Sequence, residues 1–265
     1  MKSLISRTPR SATALKILAV ALMLLDHIHQ MWAHAGAPAW LNMLGRPVFP
    51  IFLFIMAESW HYTRSKEKLL CRLLIASWLM AVINLVLAEL LFPSDDITLT
   101  NNAFGTFFIA TLYMMAYDMA KAALKEANIR KLVGAALIVL TPVLTILIPV
   151  TLATSTSEPP PAWLIRIILL IPSVFLAEGG PAFIALGLLF YVFRTRRPAQ
   201  IITLAAISSG YYMLNPSSIQ WMMIFAAIPI ILYNGKKGAG LKNFFYAFYP
   251  AHIYILYIIS MMLTH

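Results

Sequence analysis

The chain has little charge, and most of what it has is of one sign. Only 11% of its 265 residues are charged, against 61% hydrophobic. A soluble domain of this length could not hide that much apolar surface from water. Apolar stretches of about 18 or more residues instead predict transmembrane helices. Cysteine is nearly absent: Cys71 alone excludes an internal disulfide and any multi-cysteine metal site. There is no P-loop, no Gly-rich dinucleotide motif and no serine-nucleophile motif, so no common soluble-enzyme chemistry is signalled. No small-residue cleavage pattern follows the first apolar run. That run is too long for a signal-peptide core, and it is expected to remain as a membrane anchor.

Twenty Lys and Arg face ten Asp and Glu. In a soluble protein the surplus would suggest nucleic acid. Here the basic residues fall in short loops between apolar runs, where they set topology and imply no nucleic-acid partner. Apolar segments run at roughly 13–34, 47–62, 69–92, 103–120, 131–152, 163–177, 180–194, 199–214, 218–233 and 241–264. No linker or composition break divides them, which predicts one integral membrane domain over 1–265. Lys2, Arg7, Arg10 and Lys16 place the N-terminus in the cytoplasm. The loops with Arg64 to Arg72, Lys121 to Lys131, Arg194 to Arg197, and Lys236 to Lys242 follow on the same side. Ten crossings would put Arg194 to Arg197 outside. Segment 163–177 is short, carries Arg166 and is interrupted by Pro172, so it is expected to be re-entrant or interfacial. The expectation is therefore an all-α polytopic protein with about nine transmembrane helices and an outer C-terminus.

Against this apolar background, Asp26 and His27 stand inside the first segment. Such a residue costs at least about 2.5 kcal/mol at the bilayer centre and is a functional hypothesis by default. From Lys16 to His27 is eleven residues, a rise of about 16 Å, or half of a core about 30 Å thick. From Lys242 to His252 the rise is about 15 Å, in a helix expected to run the same way. From Arg46 to Glu58 the second helix drops roughly 18 Å. Asp26, His27, Glu58 and His252 are thus expected at one depth, as one buried polar cavity. Asp26 and His27 point about 100° apart, so they cannot share one contact. Three readings of the group stay open: polar glue between helices, a proton or ion pathway, and catalysis. A metal site from His27, His29, His34 and His61 fails on geometry, since His61 and His34 belong near opposite faces.

Gly45-Arg46-Pro47-Val48-Phe49-Pro50 opens the second helix. There Arg46 is either an interfacial anchor or a binder of an anionic group. Pro250 lies inside the last helix and withholds a partner from the carbonyl of Tyr246. Asn101-Asn102 and Glu178-Gly179-Gly180 mark outer helix starts, either as simple caps or as the lining of an acceptor entrance.

With these segments together, the chain resembles the TraX family, membrane proteins that acetylate the N-terminus of conjugative pilin. The matching stretches are Leu15-Lys16-Ile17, Leu25-Asp26-His27, Gly45 through Phe52, Glu58 through Arg64, Asn101 through Phe104, and Phe244 through His252. They keep the family's order across nearly the whole chain. Glu58-Ser59 stands where the family typically has Glu-Gly, and Glu178-Gly179-Gly180 replaces the usual Asp-Tyr-Gly. TraX proteins resemble in turn the larger membrane acyltransferases.

The resemblance implies an inner-membrane enzyme that moves acetyl from cytoplasmic acetyl-CoA to the N-terminal amine of a membrane-inserted pilin. It needs no metal. His27 is the first choice of general base. Asp26 or Glu58 would orient it, and His252 would polarise the thioester or shuttle a proton. Arg64, Lys66, Arg72, Lys121 or Lys131 would hold the nucleotide end. Arg46, Asn101, Asn102 and Glu178 would lie toward the acceptor. An O-acetyltransferase of an envelope glycan and a proton-coupled transporter are the competing readings of the same centre.

Overall fold

The computed structural model describes residues 11–94, 96–155, 164, 167, 168, 170–239 and 241–264. Among these residues the elements are all helical. In chain order they are α1 (Ala12–Trp32), α2 (Ala39–Gly45), α3 (Val48–Tyr62), α4 (Lys66–Leu85), which continues as a π-helical stretch (Val86–Leu91), α5 (Ala103–Glu126) and α6 (Ile129–Leu144). There follow α7 (Leu147–Ser155), α8 (Gly180–Val192), α9 (Arg197–Leu214), a 3-10 helix (Ile219–Ala226), α10 (Ala227–Leu232) and α11 (Lys242–Thr264).

Among the described residues, six helices are long and apolar enough to cross a membrane: Ala12–Trp32, Ala39–Tyr62, Lys66–Leu91, Ala103–Glu126, Ile129–Leu152 and Phe244–Leu263. The chain is a multi-pass membrane protein. The expected nine crossings also drew on 180–194, 199–214 and 218–233. Of these, α8 has only 13 residues, a rise of about 20 Å that falls short of a hydrocarbon core about 30 Å thick. Ile219–Leu232 is likewise a shorter apolar helix, and α9 is not among the six.

Local chemistry explains the helix ends. Ser11 caps α1, its hydroxyl accepting from the Ala14 amide at 3.3 Å. The Lys236 and Lys237 carbonyls accept from the Ala12 and Thr13 amides at 2.8 and 3.2 Å, satisfying two donors that a helix start leaves open. Asn102 and Asn128 cap α5 and α6 in the same way. The second span begins at Ala39 rather than near residue 47, and it is broken at Arg46-Pro47. Proline has no amide to continue the ladder, so the helical hydrogen bonding is interrupted there.

Segment 163–177 lies partly outside the described residues, Arg166 included. Where described, it ends in turns from Leu170 to Gly179 rather than in a through-going helix. Its exposed polar backbone finds partners. Trp78 donates to the Leu170 carbonyl at 2.8 Å, Thr145 to that of Pro172 at 3.1 Å, and the Val174 amide to that of Pro142 at 2.9 Å. Val174 packs with Ile109 and Ile184. Irregular backbone at such a place is tolerated when protein satisfies it.

The fold comprises two compact units. One is Met1–Ile55, Ser94–Thr98 and Phe193–His265; the other is Met56–Pro93 and Leu99–Val192. The first unit is cored by Ile51, Phe54, Leu204, Met223, Ile253 and Tyr257. The second is cored by Trp60, Leu73, Met80, Ile109, Met114 and Phe190. The boundary falls within α3, so neither unit is a separate sequence domain.

Candidate functional site

In the first unit α1 and α11 pack side by side. Lys16 sits 5.3 Å over the Phe245 ring, His27 meets His252, and Ser260 donates to the Met31 carbonyl at 2.8 Å. Residue numbers rise together along these three contacts, so the helices are parallel, as the depth argument requires.

Near the middle of that seam, His27 Nδ1 and His252 Nε2 are 2.7 Å apart, and His252 Nδ1 is 2.6 Å from the Phe248 carbonyl oxygen. Both histidines are buried, each 6% exposed. A carbonyl only accepts, so His252 Nδ1 carries the proton and donates to Phe248. Neutral His252 then has its lone pair on Nε2, which accepts from His27 Nδ1–H. The lone pair of neutral His27 is thereby on Nε2. One backbone carbonyl thus fixes both tautomers. The rings lie 22° from coplanar with centroids 4.9 Å apart, the geometry of an in-plane N–H···N bond. Phe248 stacks on His252 at 4.6 Å and 15°, locking its plane.

Asp26 looks elsewhere, as its angular offset from His27 demands. Its carboxylate pairs with Arg46 at 2.7 Å. Arg46 donates from Nε to the Asn42 carbonyl at 3.1 Å and from a terminal nitrogen to Gln220 Oε1 at 3.1 Å. Three nitrogens of one guanidinium thus tie α1, the α2–α3 break and the 3-10 helix together. Gly45 makes this possible, because a Cβ there would collide with the Asp26 carboxylate. Gln220 was not expected from the sequence. An uncharged amide next to a tryptophan carries no depth penalty large enough to flag it.

Glu58 is half-buried on α3 and belongs to the second unit. That unit has a further polar centre, not expected from the sequence, built on Asp118. Lys66 pairs with Asp118 at 2.5 Å, Tyr191 donates to it at 2.7 Å and Trp60 at 3.3 Å. The Lys66 ammonium also lies 4.7 Å over the Trp60 ring. Lys66 is therefore engaged in joining α3, α4, α5 and α8. Of the other expected nucleotide-binding cations, Lys131 pairs with Glu126 at 2.6 Å and Arg72 donates to the Lys68 carbonyl at 3.2 Å. Arg64 and Lys121 are exposed.

The expected acceptor residues of this unit do meet. Glu178 accepts from the Asn102 amide at 2.8 Å, and its carbonyl accepts from Thr106 at 2.7 Å. Asn102 also donates to Ser77, and the Asn101 carbonyl accepts from Asn84 at 3.1 Å. Asn102 caps α5, its side chain accepting from the Gly105 amide at 3.3 Å, and Glu178 ties that cap to the turn before α8. His34 and His61 are exposed, and among the described residues no three His, Cys, Asp or Glu gather as a metal-binding group.

A polytopic helical membrane protein with a buried, tautomer-fixed histidine pair is the class to which these features belong. Residues 11–260 match the family described as TraX protein, and the chain is a member of that family. It is also 25% identical, over 93% of its length and 94% of the relative's, to the probable fimbrial assembly protein FimC, serogroup H1, of Dichelobacter nodosus. No solved structure matches the chain.

Proposed function

We propose that this protein is an acetyltransferase of the bacterial inner membrane, moving acetyl from acetyl-CoA to the N-terminal amine of a membrane-inserted pilus subunit. The observation that carries the reading is the buried His27–His252 pair, whose hydrogen bonds fix the tautomers of both rings within the α1–α11 seam. Membership in the TraX family and similarity to a fimbrial assembly protein favour a pilus subunit as the acceptor.

Acetyl-CoA would supply the acetyl group as a thioester. His27 Nε2 accepts the proton released as the amine nitrogen bonds to the acetyl carbon, and returns it to the sulfur as the C–S bond breaks. His252 holds His27 in the required tautomer and shares the positive charge while it lasts. Asp26, fixed by Arg46, keeps α1 in register beside this centre. Glu58 remains a candidate on the family resemblance. No covalent nucleophile is needed, so transfer is direct.

Inverted membrane vesicles test the chemistry. Vesicles holding the protein and pilus subunit are expected to release free CoA from acetyl-CoA with the proton gradient collapsed by an uncoupler. If CoA release requires the gradient, or if solute moves without acetyl-CoA, the relay belongs to a transporter.

A further inference from the structure

A second cluster of the first unit lies at the start of the α1–α11 seam and has no role in the chemistry above. There the loop between α10 and α11 is pinned to the first turn of α1. Besides the two carbonyls that accept from the Ala12 and Thr13 amides, the Thr13 hydroxyl donates to the Lys237 carbonyl at 3.0 Å. Gly238, at φ +78°, passes so close that a Cβ would lie 2.6 Å from the Ser11 hydroxyl oxygen and 2.8 Å from that of Thr13. This holds Lys237 near Lys16, close enough for the two charges to repel. Lys16 is half-buried, its ammonium over the Phe245 ring. Elsewhere the fold answers its cations with acids: Arg46 has Asp26, Lys66 has Asp118 and Lys131 has Glu126. Among the described residues no carboxylate pairs with Lys16 or Lys237. Like charges held near each other, one of them partly out of water, are unfavourable until an anion joins them.

We infer that Lys16 and Lys237 bind the diphosphate of acetyl-CoA, with the pantetheine arm running alongside the α1–α11 seam and the thioester at His27; the inference rests on the donor proposed above. Register and length select that occupant. From Lys16 to His27 is eleven residues, three helical turns, so the two fall within about 20° of one face of α1. Lys16 meets Phe245 and His27 meets His252, so the same seam joins both levels. The rise between them is about 16 Å. The arm has thirteen bonds from phosphorus to sulfur, and an extended chain advances about 1.2 Å per bond, which also gives about 16 Å. A diphosphate held at Lys16 therefore sets the sulfur beside His27, where the proposed transfer returns the proton. A lipid headgroup offers the lysines the same phosphate, but it carries nothing that has to reach His27.

Equilibrium binding of acetyl-CoA to the whole protein in detergent, with no pilus subunit present, tests this apart from catalysis. Lys16→Gln and Lys237→Gln are each expected to weaken acetyl-CoA about ten- to a hundred-fold, the worth of a hydrogen bond to a charged group. Neither should change the affinity for S-acetylpantetheine, which keeps the arm and the thioester but has no phosphate. Lys16→Arg should restore most of the affinity for acetyl-CoA. Each Gln variant relieves a repulsion, so its melting temperature without ligand should equal or exceed that of the parent protein, and lost folding does not then account for lost binding. Unchanged acetyl-CoA affinity in both Gln variants, or an equal loss toward S-acetylpantetheine, would overturn the inference while leaving acetyl-CoA as the donor. If the parent protein binds no acetyl-CoA and instead retains phosphatidylglycerol through the two lysines, the phosphate is a lipid's, and the donor fails together with the site.

Discussion

The two histidines are not equivalent in this account. Under the proposed mechanism His27 exchanges the proton with substrate, while His252 acts through His27 and is a positioning residue. General acid–base groups contribute about 10²- to 10⁴-fold, so His27→Ala is expected to lower kcat by that range with little change in KM. His252→Ala should cost less than His27→Ala and spare the KM as well. A larger loss at His252 would reverse the assignment. Both rates are read from CoA release at matched protein abundance.

The Asp26–Arg46 pair makes a separate prediction. Removing one partner of a half-buried pair strands the other charge, at a cost on the order of 2–3 kcal/mol. Arg46→Gln and Asp26→Asn should each lower thermal stability in detergent, and the double variant should lose less than the sum of the two. Strict additivity would mean that the pair contributes no coupling.

These residues were legible in the sequence because each is ionisable within an apolar run, where insertion cost singles it out. Asp118 escaped because it lies near the expected end of its span, among Lys121 and Lys125, where an acid is cheap. The tautomer argument could not be read at all. It depends on the Phe248 carbonyl, and a backbone atom leaves no mark in a sequence.

Among the helices, the break at Arg46-Pro47 matters most. Pro47 was legible as a helix start, but the extra two turns or so of α2 before it were not. What holds α2 against α1 is a missing side chain at Gly45. Gly45→Ala is expected to destabilise the protein by about 1–3 kcal/mol through overpacking and to abolish acetyl transfer. Gly210→Ala is the control. A Cβ there meets nothing within 4 Å, and replacing a helical glycine should be neutral or stabilising by up to about 1 kcal/mol. Melting curves of the two variants separate these outcomes. The irregular stretch in segment 163–177 was legible from Pro172 and its length. The carbonyls that satisfy Trp78, Thr145 and the other donors around it were not, since they are paired by tertiary contact alone.

For the whole protein, the all-helical membrane class followed directly from composition and run length. Separating six ample spans from three shorter or less apolar ones needed the helix ends themselves. The orientation set by the basic loops predicts accessibility. With Cys71 replaced by serine, single cysteines at Gly36 and Ser94 should react with an impermeant maleimide in intact spheroplasts. Cysteines at Ser65 and Lys125 should react only after permeabilisation. The reverse pattern would invert the topology and separate the histidine pair from cytoplasmic acetyl-CoA.

The most direct test of the central claim is the intact mass of the pilus subunit from three sets of cells: those with this protein, those with His27→Ala at equal membrane abundance, and those without it. The account predicts an acetyl increment at the subunit's N-terminus in the first set alone. Identical masses in all three would contradict it.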